Sequence, residues 1–277
     1  MSMPTPETDL YTIVGSSGLH PRVVHNWYQQ YRLAQSTLLP WLNQFVSIPH
    51  GGAVAEIGCA EGGVLMAAAQ AYGGYALGTD IQGPLLQQYS SAFAAMVGLD
   101  VTFTEHDVIL GPIDPAWEER FDVVFLRDVL EHLDDTRIAL HNIMRLLKPG
   151  GALLITFPPY TSAFGGHQQL LQTKLGSLPF VHLLPQPLFE RIIRQSTTVN
   201  EDEVRRLASI RLSGDRVRQS ATDVGYRILD ERYFLLRPVF RYKYASWIPT
   251  IEVSSLRSIP LVRRLAMEAA FILQRPA

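Results

Sequence analysis

The chain has one cysteine, Cys59, in 277 residues. This excludes an internal disulfide and suits a reducing compartment. Standing beside Gly58 and Ala60, Cys59 reads as a small side chain in a tight turn rather than a reactive thiol. Lysine is scarce, three residues against 21 arginines, a bias that reads as genome composition more than function. Long hydrophobic runs are missing too. Gly73-Gly74 splits the uncharged stretch from Gly62 to Thr79, and Pro158-Pro159 interrupts the one from Pro149 to Thr173. Neither offers the run of about 20 apolar residues that a membrane-spanning helix needs. Met1 to Leu10 is polar, with two acids and two prolines, and has no secretory pattern. A soluble, cytoplasmic protein without membrane insertion is therefore expected.

Charge of one sign is also lacking overall. The net is −2, with 47% hydrophobic and 18% charged residues, the composition of an ordinary globule. The distribution is uneven, however. Residues 1–150 hold 7 basic and 16 acidic side chains, and residues 191–243 hold 12 basic and 7 acidic. A basic later segment beside an acidic first half points to a polar or anionic small-molecule partner, with Arg191, Arg194, Arg205 and Arg206 as forks for phosphate or carboxylate. The alternative reading pairs these arginines with Glu201, Asp202 and Glu203.

What the chain does have is a strand, turn, helix, strand and acid in that order. Ala53 to Ile57 reads as a short buried strand and Val64 to Tyr72 as the helix that leaves it. Small residues at 58, 59, 60, 62 and 63 let the backbone turn tightly and bring its N–H groups against a ligand. Tyr75 to Thr79 is the next strand. Asp80, 22 residues beyond Gly58, stands where a carboxylate grips a ribose diol. Gly58-x-Ala60-x-x-Gly63 fits a relaxed dinucleotide fingerprint. Glu56 argues against a pyrophosphate there, because its charge suits a cationic sulfonium better.

Glu56-x-Gly58-x-Ala60-x-Gly62 resembles the first motif of the class I S-adenosylmethionine-dependent methyltransferases, with alanine at the middle glycine. Phe121 to Leu133, including Asp128-Val129-Leu130-Glu131-His132, and Leu146 to Thr156, including Lys148-Pro149-Gly150-Gly151, resemble the fourth strand and the turn into the fifth strand of the ubiquinone-biosynthesis-type and type 11 small-molecule members. The resemblance covers roughly residues 50–160. It implies an α/β, Rossmann-like, seven-stranded, mostly parallel sheet with helices on both faces. It also implies S-adenosyl-L-methionine as cofactor and S-adenosyl-L-homocysteine as product. Glu56, Gly58, Cys59, Ala60 and Gly62 would border the methionine and ribose, and Asp80 the ribose hydroxyls. Ile81 would pack on adenine, His106, Asp107 and Val108 would flank its amino group, and Arg127 and Val129 would face the methionine with backbone atoms.

The expected organisation is an N-terminal helical cap over 1–49, a cofactor-binding core over 50–158, a substrate lid over 159–222 and closing strands over 223–277. Pro40 should break or kink the first helix, and Asp134 and Asp135 should cap the helix from Thr136. Methyl transfer asks mainly for position and exclusion of water, with a base when the acceptor is a hydroxyl. His167, at the start of the lid, and His132 are the candidate bases, with Tyr160, Phe164 and Phe180 available beside them to line a pocket. No metal is expected, since Asp128, Asp134 and Asp135 are better explained as structural.

A short-chain reductase is excluded, because Met144, Leu170 and Val239 stand four residues before the three lysines where tyrosine is needed. A nucleic-acid methyltransferase is disfavoured, because no Asn/Asp-Pro-Pro-Tyr/Phe motif follows the fourth strand. A non-catalytic S-adenosylmethionine-binding regulator remains as the alternative. The sequence leaves the oligomeric state open.

Overall fold

A computed structural model describes residues 10, 12, 14–196 and 198–277. Five strands run parallel: β1 (Gly52–Ile57), β2 (Gly73–Asp80), β3 (Thr102–Glu105), β4 (Phe121–Arg127) and β5 (Leu147–Phe157). Then come β6 (Arg227–Leu236), the two-residue β7 (Ile251–Glu252) and β8 (Glu268–Gln274). The order across the sheet is β3-β2-β1-β4-β5-β8-β6-β7. β8 is antiparallel to both β5 and β6, the one reversed strand expected of a seven-stranded sheet. β7 pairs antiparallel with β6 and makes an eighth strand. Two exposed residues carry no alternating pattern, so sequence gave no sign of it.

Alternation along the central strands divides the core. Val54, Val123 and Phe125 face the layer of α1 (Pro21–Leu33) and α2 (Gly63–Tyr72). Ala55, Val124 and Leu126 face the opposite layer, with Leu140 and Ile143 of α4 (Thr136–Leu146) and Val217 of α7 (Gly214–Val224). Helix α3 (Ser91–Met96), whose Phe93 joins the first layer, follows a π-helical turn over Leu86–Ser90. Phe125 and Ile143 are wholly buried, and each such side chain stabilises the fold by about 1.5–3 kcal/mol.

Helix α1 passes into a π-helical stretch, Ala34–Leu38, and then a short helical turn, Leu39–Leu42. The widened turn absorbs Pro40, whose ring and missing N–H an α-helical interior would not tolerate, so the chain is not broken there. Gly63 explains how closely α1 approaches α2. A Cβ on it would meet the Trp27 carbonyl oxygen at 2.5 Å and the Tyr31 nitrogen at 2.9 Å. Gly63 therefore serves helix packing, not the ligand turn. Tyr31 is 3% exposed, which makes it a core residue.

After β5, the chain up to β6 carries α5 (Gln186–Ile193), α6 (Glu201–Ile210) and α7, which runs past 222 to Val224. Among the described residues no helix is long and apolar enough to cross a membrane.

Candidate functional site

The strand order reverses between β1 and β4, and in open α/β sheets ligands bind beyond the carboxyl ends of the strands at such a point. A cleft of about 530 Å³ opens there. Of the residues singled out from sequence, Gly58, Ala60, Asp80, Ile81, His106, Asp107, Val108, Val129 and His132 line it.

The first wall is largely backbone. Gly58 has φ +67°, and a Cβ on it would stand 2.3 Å from Val129 Cγ2, so only glycine lets the turn lie against β4's exit. Gly62, at φ +80°, is the cap from which α2 begins. Ala60 also adopts a left-handed conformation, φ 44°, which an L side chain disfavours. Its N–H donates to Asp80 Oδ2 at 3.0 Å, and the Gln82 N–H donates to Asp80 Oδ1 at 3.0 Å. Ser90 Oγ–H donates to the Ala60 carbonyl at 2.6 Å. The Asp80 carboxylate thus ties the two turns together and keeps lone pairs for a further donor. Asp107 Oδ1 accepts from the Ile109 and Leu110 N–H groups at 2.7 and 3.1 Å, a loop cap at the cleft edge. Ile81 and Leu110 are 66% and 84% exposed there.

Five of the singled-out cofactor and base residues do not line the cleft: Glu56, Cys59, Gly62, Arg127 and His167. Glu56 lies behind the turn, accepting from the Leu65 N–H at 2.8 Å. Burial pushes its carboxyl up to about 8, so at neutral pH it presents mostly the protonated form rather than the charge read from the motif. Cys59 is 4% exposed, and burial drives its thiol well above the usual range, with Glu56 and Asp80 adding to it. Arg127 ends β4 and turns its guanidinium to Asp128 at 3.3 Å.

The second wall is built from ionisable side chains. Asp128, at φ 52°, lines the cleft. Both its oxygens accept from Arg237 Nη2 at 2.7 Å, while Arg237 Nε donates to Glu268 at 2.8 Å. Burial opposes ionisation of Asp128, but Arg127 and Arg237 outweigh it and hold its carboxyl at about 2. Next to it Glu131 is 2% exposed, and neither of its oxygens has a hydrogen-bond partner. Burial, with Asp128 nearby, raises its carboxyl well above the usual range.

His132 Nδ1 meets Glu203 Oε1 at 2.5 Å, which turns its Nε2 toward Glu131 Oε1 at 3.8 Å. The His167 ring lies 5.0 Å from that of His132 and is not part of the cleft lining. Burial, then His132, lowers the His167 imidazole to about 4. Glu131, His132 and His167 each offer an atom within 4.8 Å of the others. One carboxylate and two imidazoles are the donor types of a transition-metal site, a grouping that a reading of Asp128, Asp134 and Asp135 alone did not consider.

Sequence reasoning missed Asp128, Glu203 and Arg237 as parts of the site. Only the left-handed turn after β4 had a local signal, the Asp128-x-x-Glu131-His132 run. It also needs correction at 134. Asp135 alone caps α4, accepting from the Arg137 and Ile138 N–H groups at 2.9 and 3.0 Å, whereas Asp134 accepts from Arg206 Nε at 2.8 Å. Arg205 is held by Glu190, Glu201 and Asp202, and Arg194 by Glu190. Of the four arginines read as anion forks, Arg206 alone lines the cleft. Tyr160, Phe164 and Phe180 are not in its lining either. Tyr160 packs on His182 instead, beside a separate hollow of about 270 Å³.

A methyltransferase-domain family model matches residues 55–153. The chain is 26% identical over 199 residues to the ubiquinone biosynthesis O-methyltransferase of Alkalilimnicola ehrlichii, covering 71% of this chain and 73% of that one. It is 30% identical over 106 residues to phosphoethanolamine N-methyltransferase 1 of Triticum aestivum, where the match spans 38% of this chain and only 20% of the wheat enzyme.

Two solved structures share the fold. Phosphoethanolamine N-methyltransferase 2 of Haemonchus contortus, in complex with S-adenosyl-L-methionine, aligns over 90% of this chain and 56% of its own, with TM-score 0.53 and 17% identity. Geranyl diphosphate C-methyltransferase of Streptomyces coelicolor, in complex with Mg2+, geranyl diphosphate and S-adenosyl-L-homocysteine, aligns over 87% and 79%, with TM-score 0.56 and 12% identity.

Proposed function

The chain belongs to the class I S-adenosylmethionine-dependent methyltransferases, and on that premise we propose that the cleft binds S-adenosyl-L-methionine for methyl transfer to an oxygen or nitrogen of a small, polar acceptor. The observation that carries this reading is the meeting of Gly58, Asp80 and Val129 on one cleft of about 530 Å³, a size that suits a nucleoside with an amino-acid tail. The backbone at Gly58 allows approach at a point where a Cβ has no room. Each Asp80 oxygen, already fixed by one N–H, would accept from a ribose hydroxyl. Ile81 and Leu110 would be covered by the adenine, and Asp107 would accept from its amino group with the oxygen not used as a cap.

Bound there, the sulfonium supplies an activated methyl group for in-line displacement. The chain's own part is to hold the acceptor at attacking distance, exclude water and take up a proton. We assign the base to His132 in preference to His167. Glu203 accepts from His132 Nδ1, which leaves Nε2 as the lone-pair nitrogen, and His132 lines the cleft. An imidazole held at about 4, like His167, is a weak base at neutral pH. The acceptor is polar rather than anionic, because Asp128, Asp134 and Glu203 face the cleft against Arg206 alone.

Calorimetry with S-adenosylmethionine, its demethylated product and NAD tests the cofactor. Binding of the first two and not of NAD is expected, and the reverse overturns the reading. Asp80→Ala should weaken S-adenosylmethionine binding about 10- to 100-fold, the loss of charged hydrogen bonds. An unchanged dissociation constant removes Asp80 from the site. Binding without turnover on any acceptor favours a regulatory protein. Turnover abolished by a chelator and restored by a divalent ion would recast His132 and His167 as metal ligands.

A further inference from the structure

Helix α6 stands between two cavities. Its Glu203 and Arg206 line the cleft, whereas its Arg205, Ala208 and Ser209 line the separate hollow of about 270 Å³. At about 3.6 residues per turn, these two sets occupy different faces of the helix.

The floor of the hollow is buried and consists of Tyr160, His182, Phe189 and Ile193. His182 Nε2 donates to the Tyr160 carbonyl at 2.6 Å, which leaves Nδ1 as the lone-pair nitrogen of a neutral ring. Burial lowers this imidazole below its ordinary value and so keeps it neutral. The Cβ, Cγ and Cδ2 side of His182 lies against Gly166, where an added Cβ would stand 2.5 Å from His182 Cβ and Cγ. What remains for the hollow is the Nδ1 edge, and Nδ1 has no hydrogen-bond partner. His182 is 2% exposed, so an acceptor left unmet there is destabilising.

On the rim, Glu190 and Arg205 hold each other at 2.9 Å. Arg211, which ends α6, places its guanidinium 5.6 Å from the Tyr160 ring centroid. Its Nε donates to the Ala208 carbonyl at 2.9 Å, and its outer nitrogens stay available for an anion. The hollow therefore combines an unmet acceptor, an available cation and flat apolar walls.

We propose that this hollow is a second binding site, for a small single-ring carboxylate that bears a hydroxyl, and that its occupation is felt at the cleft. The carboxylate meets the Arg211 fork, the ring lies among Tyr160, Phe189 and Ile193, and the hydroxyl donates to His182 Nδ1. The volume is about half that of the cleft, which suits one ring rather than a nucleoside. An inorganic anion would use Arg211 and leave Nδ1 and the apolar floor unused. Two connections lead to the cleft. Helix α6 carries Glu203 and Arg206 to His132 and Asp134. Gly166, packed on His182, precedes His167, whose ring lies 5.0 Å from that of His132.

The test is calorimetry of the full chain with the hydroxybenzoate isomers, benzoate and phenol, under saturating S-adenosyl-L-homocysteine. At least one hydroxybenzoate should bind. Benzoate should bind about 2- to 10-fold more weakly and phenol about 10- to 100-fold more weakly. Arg211→Gln should reproduce the loss seen with phenol, and Ser209→Trp should fill the hollow and abolish binding. Both variants should keep the parent's melting temperature and, without probe, its S-adenosyl-L-homocysteine affinity. Failure of every isomer to bind, displacement by S-adenosyl-L-homocysteine, or parent-like binding in Arg211→Gln overturns the proposal. Only the coupling rests on the cofactor reading. A bound hydroxybenzoate should change S-adenosyl-L-homocysteine affinity about fivefold or more, and an unchanged affinity overturns the coupling. If S-adenosyl-L-homocysteine does not bind at all, the cofactor reading falls, and the bare chain against Arg211→Gln still decides the hollow.

Discussion

Ile57, Gly58, Ala60 and residues 80–82 and 106–110 make one wall of the cleft around a glycine turn and a carboxylate bonded to its own turns. Asp128, His132 and Asp134, with Glu203 and Arg206 in front and Arg237 behind, make the other from ionisable side chains drawn from distant parts of the chain. The first wall is held by contacts such as Ala60 to Asp80, 20 positions apart, and Leu65 to Glu56, nine apart. In the second, Arg237 reaches Asp128 across 109 positions and Glu203 reaches His132 across 71. A wall made of backbone tolerates change in its charges but not in its shape. A wall made of charges tolerates neither half of a pair being removed.

The sharpest test of that contrast is Arg237→Met. It leaves the buried Glu268 and the half-buried Asp128 without their fork, and breaking a buried pair costs about 3–5 kcal/mol. Chemical denaturation should record a loss of that order, and near-parent stability would mean that the second wall is not held by Arg237. Gly58→Ala tests the first wall by shape alone. Left-handed strain of about 1–2 kcal/mol adds to the clash with Val129, and S-adenosylmethionine affinity should fall with stability. A variant that binds like the parent would break the claim that this wall is fixed by backbone geometry.

Those two walls also explain what the sequence disclosed. The strand-turn-helix unit around Gly58, the acid at 80 and the His106-Asp107-Val108 segment are runs of adjacent residues whose spacing is dictated by local backbone. Their positions at the cleft could be read directly. Arg237 was one arginine among 21 in a segment read simply as strand, and no local pattern tells which carboxylates it meets. For the arginines at 205 and 206 the alternative reading holds in part, since Arg205 meets Glu201 and Asp202 and Arg206 meets Glu203 on the same helix. Their further partners Glu190 and Asp134 lie in other elements and left no local sign. The motif residue Glu56 was expected beside the cofactor, but it stands behind the turn, bonded to the Leu65 N–H, and its protonation depends on burial that only the folded core supplies.

Glu56 gives a smaller, pH-dependent prediction. Its carboxyl ionises near 4.5 in the unfolded chain and near 8 in the fold. The folded state therefore binds the extra proton between those values, and stability should fall as pH rises from about 4.5 to about 8. Glu56→Gln should remove that slope and raise stability at neutral pH by a few kcal/mol at most. An unchanged slope in thermal melts would place the titration elsewhere.

The smallest effect is expected at Ala60→Gly. Relief of about 1–2 kcal/mol of left-handed strain is offset by about 0.4–1 kcal/mol from the freer unfolded chain. Stability should change by less than about 1.5 kcal/mol, in the favourable direction. A clear destabilisation would mean that the Ala60 methyl group packs usefully in the turn.

Helix α6 has a kinetic consequence. Glu203 and Arg206 reach from it to His132 and Asp134, and all four line the cleft, so parting of these contacts would widen the way out for a bound molecule. Dissolved salt loosens such exposed pairs. Residence time of the demethylated product should accordingly shorten as ionic strength rises. If product release limits turnover, the enzyme should run faster, not slower, in a saltier medium.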